Sequence, residues 1–157
     1  MGRYGIHTVI ISLIVLLVSG CGAPQKVKLY ESGPSSSDTR NEIIGTAISL
    51  HGNPYKNGYK GSDAFDCSGF VHYVYKRSGI TVPVSTDRLI KAGAEIPRDQ
   101  VQPGDLVFFK IKRDLHIGIM VNRKAFIHAS KSRGIAVDDV DTAYWKRCFL
   151  CYRTILG

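Results

Sequence analysis

"LHIGIMVNRKAFIHAS", residues 115–130, carries one histidine on each side of a short polar break. Before the break, Leu115, Ile117 and Ile119 alternate with His116 and Gly118; after it, "AFIHAS" is again short and apolar. Period-two alternation with β-branched and aromatic residues marks strands, and a polar break of three residues marks a hairpin loop. A loop of Asn122, Arg123 and Lys124 sets Val121 opposite Ala125. Counting back, Gly118 opposes His128 and His116 opposes Ser130. The two imidazoles then share one face as diagonal neighbours, about 7 to 8 Å apart at the backbone. Gly118 leaves the His128 ring room to lean across. A two-residue loop would send the rings to opposite faces, so the register is a structural test of any joint role for the pair.

Outward from this hairpin the same rhythm continues. "GDLVFFK", "GIAVDDV" and the terminal "CFLCYRTIL" read as further strands, all beyond Pro103. Upstream the period lengthens. Thr39, three residues before Glu42, opens a capping-box pattern for a helix with Ile43, Ile44, Ala47 and Ile48 on one stripe and Gly52 beyond its end. A second helix starts near Cys67, buries Phe70, Val71 and Val74, and stops at Gly79. A short third, "STDRLIKAG", has Ser85 as N-cap and Gly93 as stop. Helices first and consecutive strands after them predict an α+β fold, N-terminal helices packed on one side of an antiparallel sheet of about five strands.

At 157 residues, 44% of them hydrophobic, the chain suits one modest domain. Its first twenty residues read differently. Arg3 precedes an apolar run from Val9 to Val18, shorter than the roughly 20 residues of a membrane span, and fits a secretory signal. Its end, "LVSGC", resembles a lipoprotein signal, which implies that Cys21 becomes a lipidated mature N-terminus. Several acyl chains on one residue anchor stably where one is marginal. Gly22 stands where an aspartate would favour inner-membrane retention, so the expected place is the periplasmic face of the outer membrane. Residues 21–40, rich in Gly, Pro and Ser, form the anchored start and a flexible tether, leaving 41–157 as the folded domain. Without Arg3 the mature chain carries 20 basic against 13 acidic residues, a balance that favours anionic partners. No basic run is interleaved with aromatics, so nucleic acid is not among those expected.

With Cys21 set aside, Cys67, Cys148 and Cys151 remain, an odd number. The spacing in "CFLC" suits redox or zinc chemistry, but in a terminal strand residues three apart face opposite ways, and a structural role is expected. Cys67 is the thiol to explain. At the first turn of a helix, unpaired N–H groups place partial positive charge beside the sulfur and favour the thiolate, the attacking form. Asp66 reads as the N-cap, and small Ser68 and Gly69 leave room for a substrate. His7 lies in the signal, His51 near a helix end and His72 within the second helix. On their own, His116 and His128 suit a packed core or a weak metal site at least as well as catalysis. A cysteine at a helix start tips the balance.

"FDCSGFV", "PGDLVFF", "LHIGIMV" and "FIHAS", in that order and with these gaps, resemble the NlpC family of papain-like bacterial cell-wall cysteine peptidases. The resemblance runs from about Ile43 to Leu156 and includes "AYWKR". It implies a papain-like fold, with Cys67 as nucleophile, His116 as general base and acid, and His128 as the polar group orienting His116. Tyr55, in "GNPYKNG", would face the oxyanion with its hydroxyl, opposite the backbone N–H of Cys67. No cofactor or metal is implied. The implied partners are peptidoglycan stem peptides containing D-amino acids, met by a monomer. Cleavage between D-Glu and the diamino acid, and cleavage of the D-Ala crosslink, both fit. Tyr59 and Val84 depart from the family pattern where substrate-lining loops would lie. Two other functions use the same cleft: a non-catalytic wall-binding or scaffolding lipoprotein, and thioester-mediated acyl transfer.

Overall fold

The computed structural model describes residues 35–157. The signal, Cys21 and the tether to residue 34 lie outside the described residues. Helix α1 (Ser36–Ser49) begins ahead of the expected Thr39 because Ser35 caps it. The Ser35 hydroxyl accepts from the Asp38 N–H at 3.2 Å, while the Asp38 carboxylate accepts from the Ser35 N–H at 3.2 Å. The last residues of the presumed tether are thus helical. Ile43 and Ala47 are buried, but Ile48, expected beside them, is 49% exposed.

Helix α2 (Cys67–Arg77) starts at the expected cysteine, because the Asp66 side chain accepts the Gly69 N–H at 2.6 Å and ends the extended chain there. Phe70, Val71, Val74 and Tyr75 are fully buried. Gly79, at φ +74°, turns the chain out of the helix. A one-turn helix α3 (Thr86–Leu89) follows Ser85, whose side chain makes no capping bond.

Among the described residues six strands form one antiparallel sheet: β1 (Ala94–Ile96), β2 (Leu106–Ile111), β3 (Asp114–Met120), β4 (Ala125–Ser130), β5 (Gly134–Asp139) and β6 (Phe149–Thr154), in the order β1-β6-β2-β3-β4-β5. The sheet has one strand more than expected: the three-residue β1 pairs with the outer edge of β6. "AYWKRC" is not extended chain but helix α4 (Ala143–Cys148), capped by the Thr142 hydroxyl. Cys148 therefore ends a helix while Cys151 lies in β6, so they do not share the single strand the spacing suggested; both are free thiols.

Alternation along the strands divides the core in two. Leu106, Phe108, Ile117, Ile119, Ile127 and Ala129 pack with Ile43, Phe70, Val71 and Val74 on the side of α1 and α2. Val107, Phe109, Met120 and Phe126 pack with Trp145 of α4 on the other. Helical cover is thus on both faces rather than one. At one corner Arg40 of α1 donates to Asp105 at 2.9 Å and to the Pro103 carbonyl at 2.8 Å, while the Tyr75 hydroxyl of α2 donates to the Gly104 carbonyl. Asp105 is 1% exposed, and its second carboxylate oxygen accepts the Gln102 N–H at 2.8 Å, which offsets part of the cost of burying the charge. These bonds tie both helices to the start of β2, and so fix where α2 begins relative to the sheet.

Candidate active site

The hairpin has the register that a three-residue loop dictates. Met120 opposes Phe126 and Ile119 opposes Ile127, with the Val121 N–H donating to the Ala125 carbonyl at 2.8 Å. Asn122 closes the turn by accepting the Lys124 and Ala125 N–H groups, each at 2.8 Å. The ladder then stops. Regular ladder bonds do not continue to Gly118 and His116, but Gly118 still lies against His128 as the count implied, a Cβ on it being 3.3 Å from the His128 Cβ.

Gly118 is the point of closest approach. A Cβ there would lie 2.5 Å from the Phe126 ring, 3.0 Å from the Ile127 carbonyl oxygen and 3.3 Å from the His128 Cβ. Only glycine lets β4 come this close, and the closeness brings the rings together: His116 Nε2 and His128 Nδ1 are 2.8 Å apart. Both rings lie on the face that carries Trp145. His116 stacks on the Trp145 indole, centroids 5.8 Å apart and planes 19° from parallel, and His128 meets it edge-on at 5.2 Å.

Cys67 approaches from the helix side. Beyond the end of the β3–β4 ladder it lines, with Tyr55, Asp114, His116, His128 and Trp145, a cavity of about 720 Å³. Its thiol is 3.6 Å from the Thr86 hydroxyl of α3. The small residues after it do not leave room for a substrate. Ser68 is buried, and a Cβ on Gly69 would lie 2.6 Å from the Tyr59 carbonyl oxygen, so the loop that carries Tyr55 packs straight onto the first turn of α2. Lys60 of that loop reaches Asp66 and the Ser68 hydroxyl, each at 3.2 Å. The Tyr55 hydroxyl donates to Asn57 at 3.4 Å.

Burial decides the resting protonation. It pushes the Cys67 thiol up; the Thr86 hydroxyl and the N–H groups of Ser68 and Cys67 pull it down, and Asp66 adds to the rise. The helix-start effect is therefore present but outweighed, opposite to the lowered thiol expected from the helix start. Burial also carries His116 down to about 3, with help from His128 and Lys131 and against Asp138. Burial thus weighs against the charged form of both the thiol and the imidazole. Burial likewise raises Tyr55, with Cys67 and the carboxylates of Asp66 and Asp114 adding to it, so its hydroxyl keeps its proton.

Sequence reasoning missed three residues beside the imidazoles. Asp138 of β5 accepts from His128 Nε2 at 3.0 Å, from Trp145 Nε1 at 3.1 Å and from Arg133 at 2.6 Å. The signal was available in the register: β4 and β5 set His128 opposite Ala136, which makes Asp138 a diagonal neighbour of His128. His72, by contrast, bonds the Val82 carbonyl at 3.0 Å, the structural place foreseen for it. Among the described residues no three His, Cys, Asp or Glu side chains are grouped to hold a metal ion.

The NlpC/P60 family model matches residues 52–154. A probable endopeptidase of Escherichia coli K12, NlpC, is 33% identical over 93% of this chain and 97% of its own length. The peptidoglycan DL-endopeptidase CwlO of Bacillus licheniformis is 35% identical over 76% of this chain. Among solved structures, an NlpC/P60 family protein from Bacillus cereus has a TM-score of 0.71 at 26% identity, over 78% of this chain. The chain spans 29% of CwlO and 43% of the Bacillus cereus protein, so these two share with it one domain of a longer molecule. With the family model covering most of the described residues and the helix-and-sheet architecture agreeing, the chain belongs to the NlpC/P60 family and has its papain-like fold.

Proposed function

We propose that this chain is a cell-wall hydrolase, a cysteine-type endopeptidase that cuts peptidoglycan stem peptides containing D-amino acids. The observation that carries this reading is the meeting, in one cavity, of a thiol at the first turn of α2 with a hydrogen-bonded imidazole pair. The names of the family relatives support it at the level of peptidoglycan endopeptidase.

In this mechanism Cys67 Sγ attacks the scissile carbonyl and its proton passes to His116 as the C–S bond forms, in keeping with burial that weighs against both charged forms. The oxyanion is met by the Cys67 N–H and the Tyr55 hydroxyl; each such donor is worth about 3 kcal/mol in the transition state. His116 then protonates the departing amine. Water, deprotonated by the same ring, cleaves the thioester to a free carboxylate and restores the thiol. His128 holds the His116 ring in place throughout. Lys131 and Arg133 on the cavity wall suit a substrate rich in carboxylates. Attachment through a lipidated Cys21, facing the periplasm at the outer membrane, completes the proposal and rests on the sequence alone.

Digestion of purified sacculi tests it. Cys67→Ala abolishes release of peptide fragments while circular dichroism and melting temperature stay close to those of the parent, and His116→Ala abolishes it with the fold retained. Undiminished release by Cys67→Ala overturns the reading. Mass spectrometry of products from defined muropeptides reads out which bond is cut and separates hydrolysis from acyl transfer.

A further inference from the structure

The Asp138 carboxylate is placed to do more than fill space beside the imidazoles. We infer that Asp138 is a positioning residue that, with Arg133 and Trp145, dictates the tautomer of both histidines and so leaves the Nδ1 lone pair of His116 free to take the Cys67 proton. The inference rests on the hydrolase reading for its consequence, but the tautomers themselves can be observed without any substrate.

The argument is one of donors and acceptors. An ionised carboxylate only accepts. Three donors converge on the same oxygen, Oδ2 of Asp138: Arg133 at 2.6 Å, His128 Nε2 at 3.0 Å and Trp145 Nε1 at 3.1 Å. His128 must therefore carry its proton on Nε2. A neutral imidazole has one N–H, which leaves His128 Nδ1 an acceptor. That nitrogen lies 2.8 Å from His116 Nε2, which must donate to it. His116, neutral as well, is left with a bare Nδ1, the nitrogen not engaged by His128. One carboxylate two residues removed from the thiol thus decides which end of the base is basic, as an outer hydrogen-bond partner fixes the tautomer of a metal-bound histidine.

Without that acceptor the relay can run backwards. His128 would be free to carry its proton on Nδ1 and donate to His116 Nε2, leaving His116 with an N–H on Nδ1 and nothing to accept a proton with. Arg133 and Trp145 guard against this in a specific way. Arg133 neutralises Asp138, and the carboxyl is held below its usual range by Arg133 and His128 in spite of its partial burial. Trp145 both donates to Asp138 and stacks on the His116 ring, so the acid and the base are located by one rigid side chain. Lys131, on the same cavity wall, opposes protonation of His116 and favours the neutral form that the argument requires.

The convergence on a single oxygen makes an unusual distinction between variants. In Asp138→Asn the amide oxygen stays where Arg133 and Trp145 hold it and still accepts from His128, so the tautomers survive and kcat falls by about tenfold or less. In Asp138→Leu the acceptor is gone, and kcat falls by about 10³ to 10⁴-fold, the scale set by a wrong tautomer in a serine-hydrolase triad, while KM changes little.

The direct reading is ¹⁵N NMR of the imidazoles near pH 7 in Cys67→Ala protein, where no thiol can share the proton. Both rings are expected to be protonated at Nε2 and bare at Nδ1, unchanged in Asp138→Asn and inverted in Asp138→Leu. Should Asp138→Leu fail to fold, Asp138→Asn with Arg133→Ala and Trp145→Phe removes both other donors to the oxygen, frees the amide to turn its NH₂ toward His128, and gives the same inversion and loss. A proton on His116 Nδ1 with Asp138 intact overturns the inference, as does Asp138→Leu with kcat within threefold of the parent. A protein with the expected tautomers but no action on peptidoglycan leaves the inference standing and removes the hydrolase reading instead.

Discussion

The two ends of the β3–β4 hairpin are built from the same pair of strands and solve opposite problems. At the closed end, Met120 and Phe126 face each other across paired backbone, and Asn122 satisfies the turn. At the open end the β3–β4 ladder has stopped, and His116 bonded to His128, itself bonded to Asp138, joins β3 to β4 through side chains, while β3 stays paired to β2 and β4 to β5. Backbone pairing is insensitive to which side chains it carries. The open end depends on every polar atom having its partner, because an unpaired buried polar group is expensive. The comparison teaches that the site is possible because β3 and β4 give up regular pairing beside a glycine, and that across that one seam side-chain bonds replace the ladder.

The largest expected effect breaks the closed end. Phe126 is fully buried against Phe109 at 5.0 Å, Trp145 at 5.0 Å and His128 at 4.9 Å between ring centroids. Phe126→Ala should cost about 3 to 5 kcal/mol in urea denaturation, through the lost burial and the cavity left behind. It also removes a wall of His128, so activity should fall even where the variant is folded. A cost under 1 kcal/mol would mean that the closed end is not the anchor described here.

Next comes the point where the ends meet. Gly118→Ala places a Cβ against a ring with no free side to move to, and against the Ile127 carbonyl. Overpacking of this kind costs about 1 to 3 kcal/mol. The strands should be forced apart where His128 sits, so kcat should drop more than stability alone explains. Equal losses in Gly118→Ala and in a remote variant of matched stability would sink the idea that close approach serves the site.

The smallest effect at neutral pH belongs to the open end, and it grows with acid. Folded His116 resists protonation down to about 3, whereas an unfolded histidine takes its proton near 6.5. Below about pH 6.5 the unfolded state therefore binds more protons, and stability, full above that pH, is lost as the pH falls toward 3. The melting temperature should decline on acidification across this window. His116→Gln should show a shallower decline, and an identical slope in both proteins would contradict the burial of a neutral ring.

Much of this was open to reading in the chain itself, and the reasons are local. Asp66 with Gly69 two residues beyond Cys67 starts α2 by a bond within one turn. The hairpin register followed from a loop length and a period of two. Where local signals were weak the reading failed. Three residues, Ala94 to Ile96, carry too little pattern to announce β1, and Cys148, read as the start of the terminal strand, ends a helix that Trp145 docks among Phe109 and Phe126. Asp138 escaped for a different reason: the count that joined His116 to His128 was not carried one strand further.

What the sequence by itself determined is where the thiol sits on its helix, which way the two histidines face, and the family to which the arrangement belongs. All of these depend on residues close in the chain or on their order. Only the tertiary structure decided that the ladder stops at Gly118, that an aspartate from β5 and a tryptophan from α4 complete the pair, and that burial weighs against the thiolate. Those outcomes turn on burial, and burial is a property of what packs around a group, which no stretch of neighbouring residues contains.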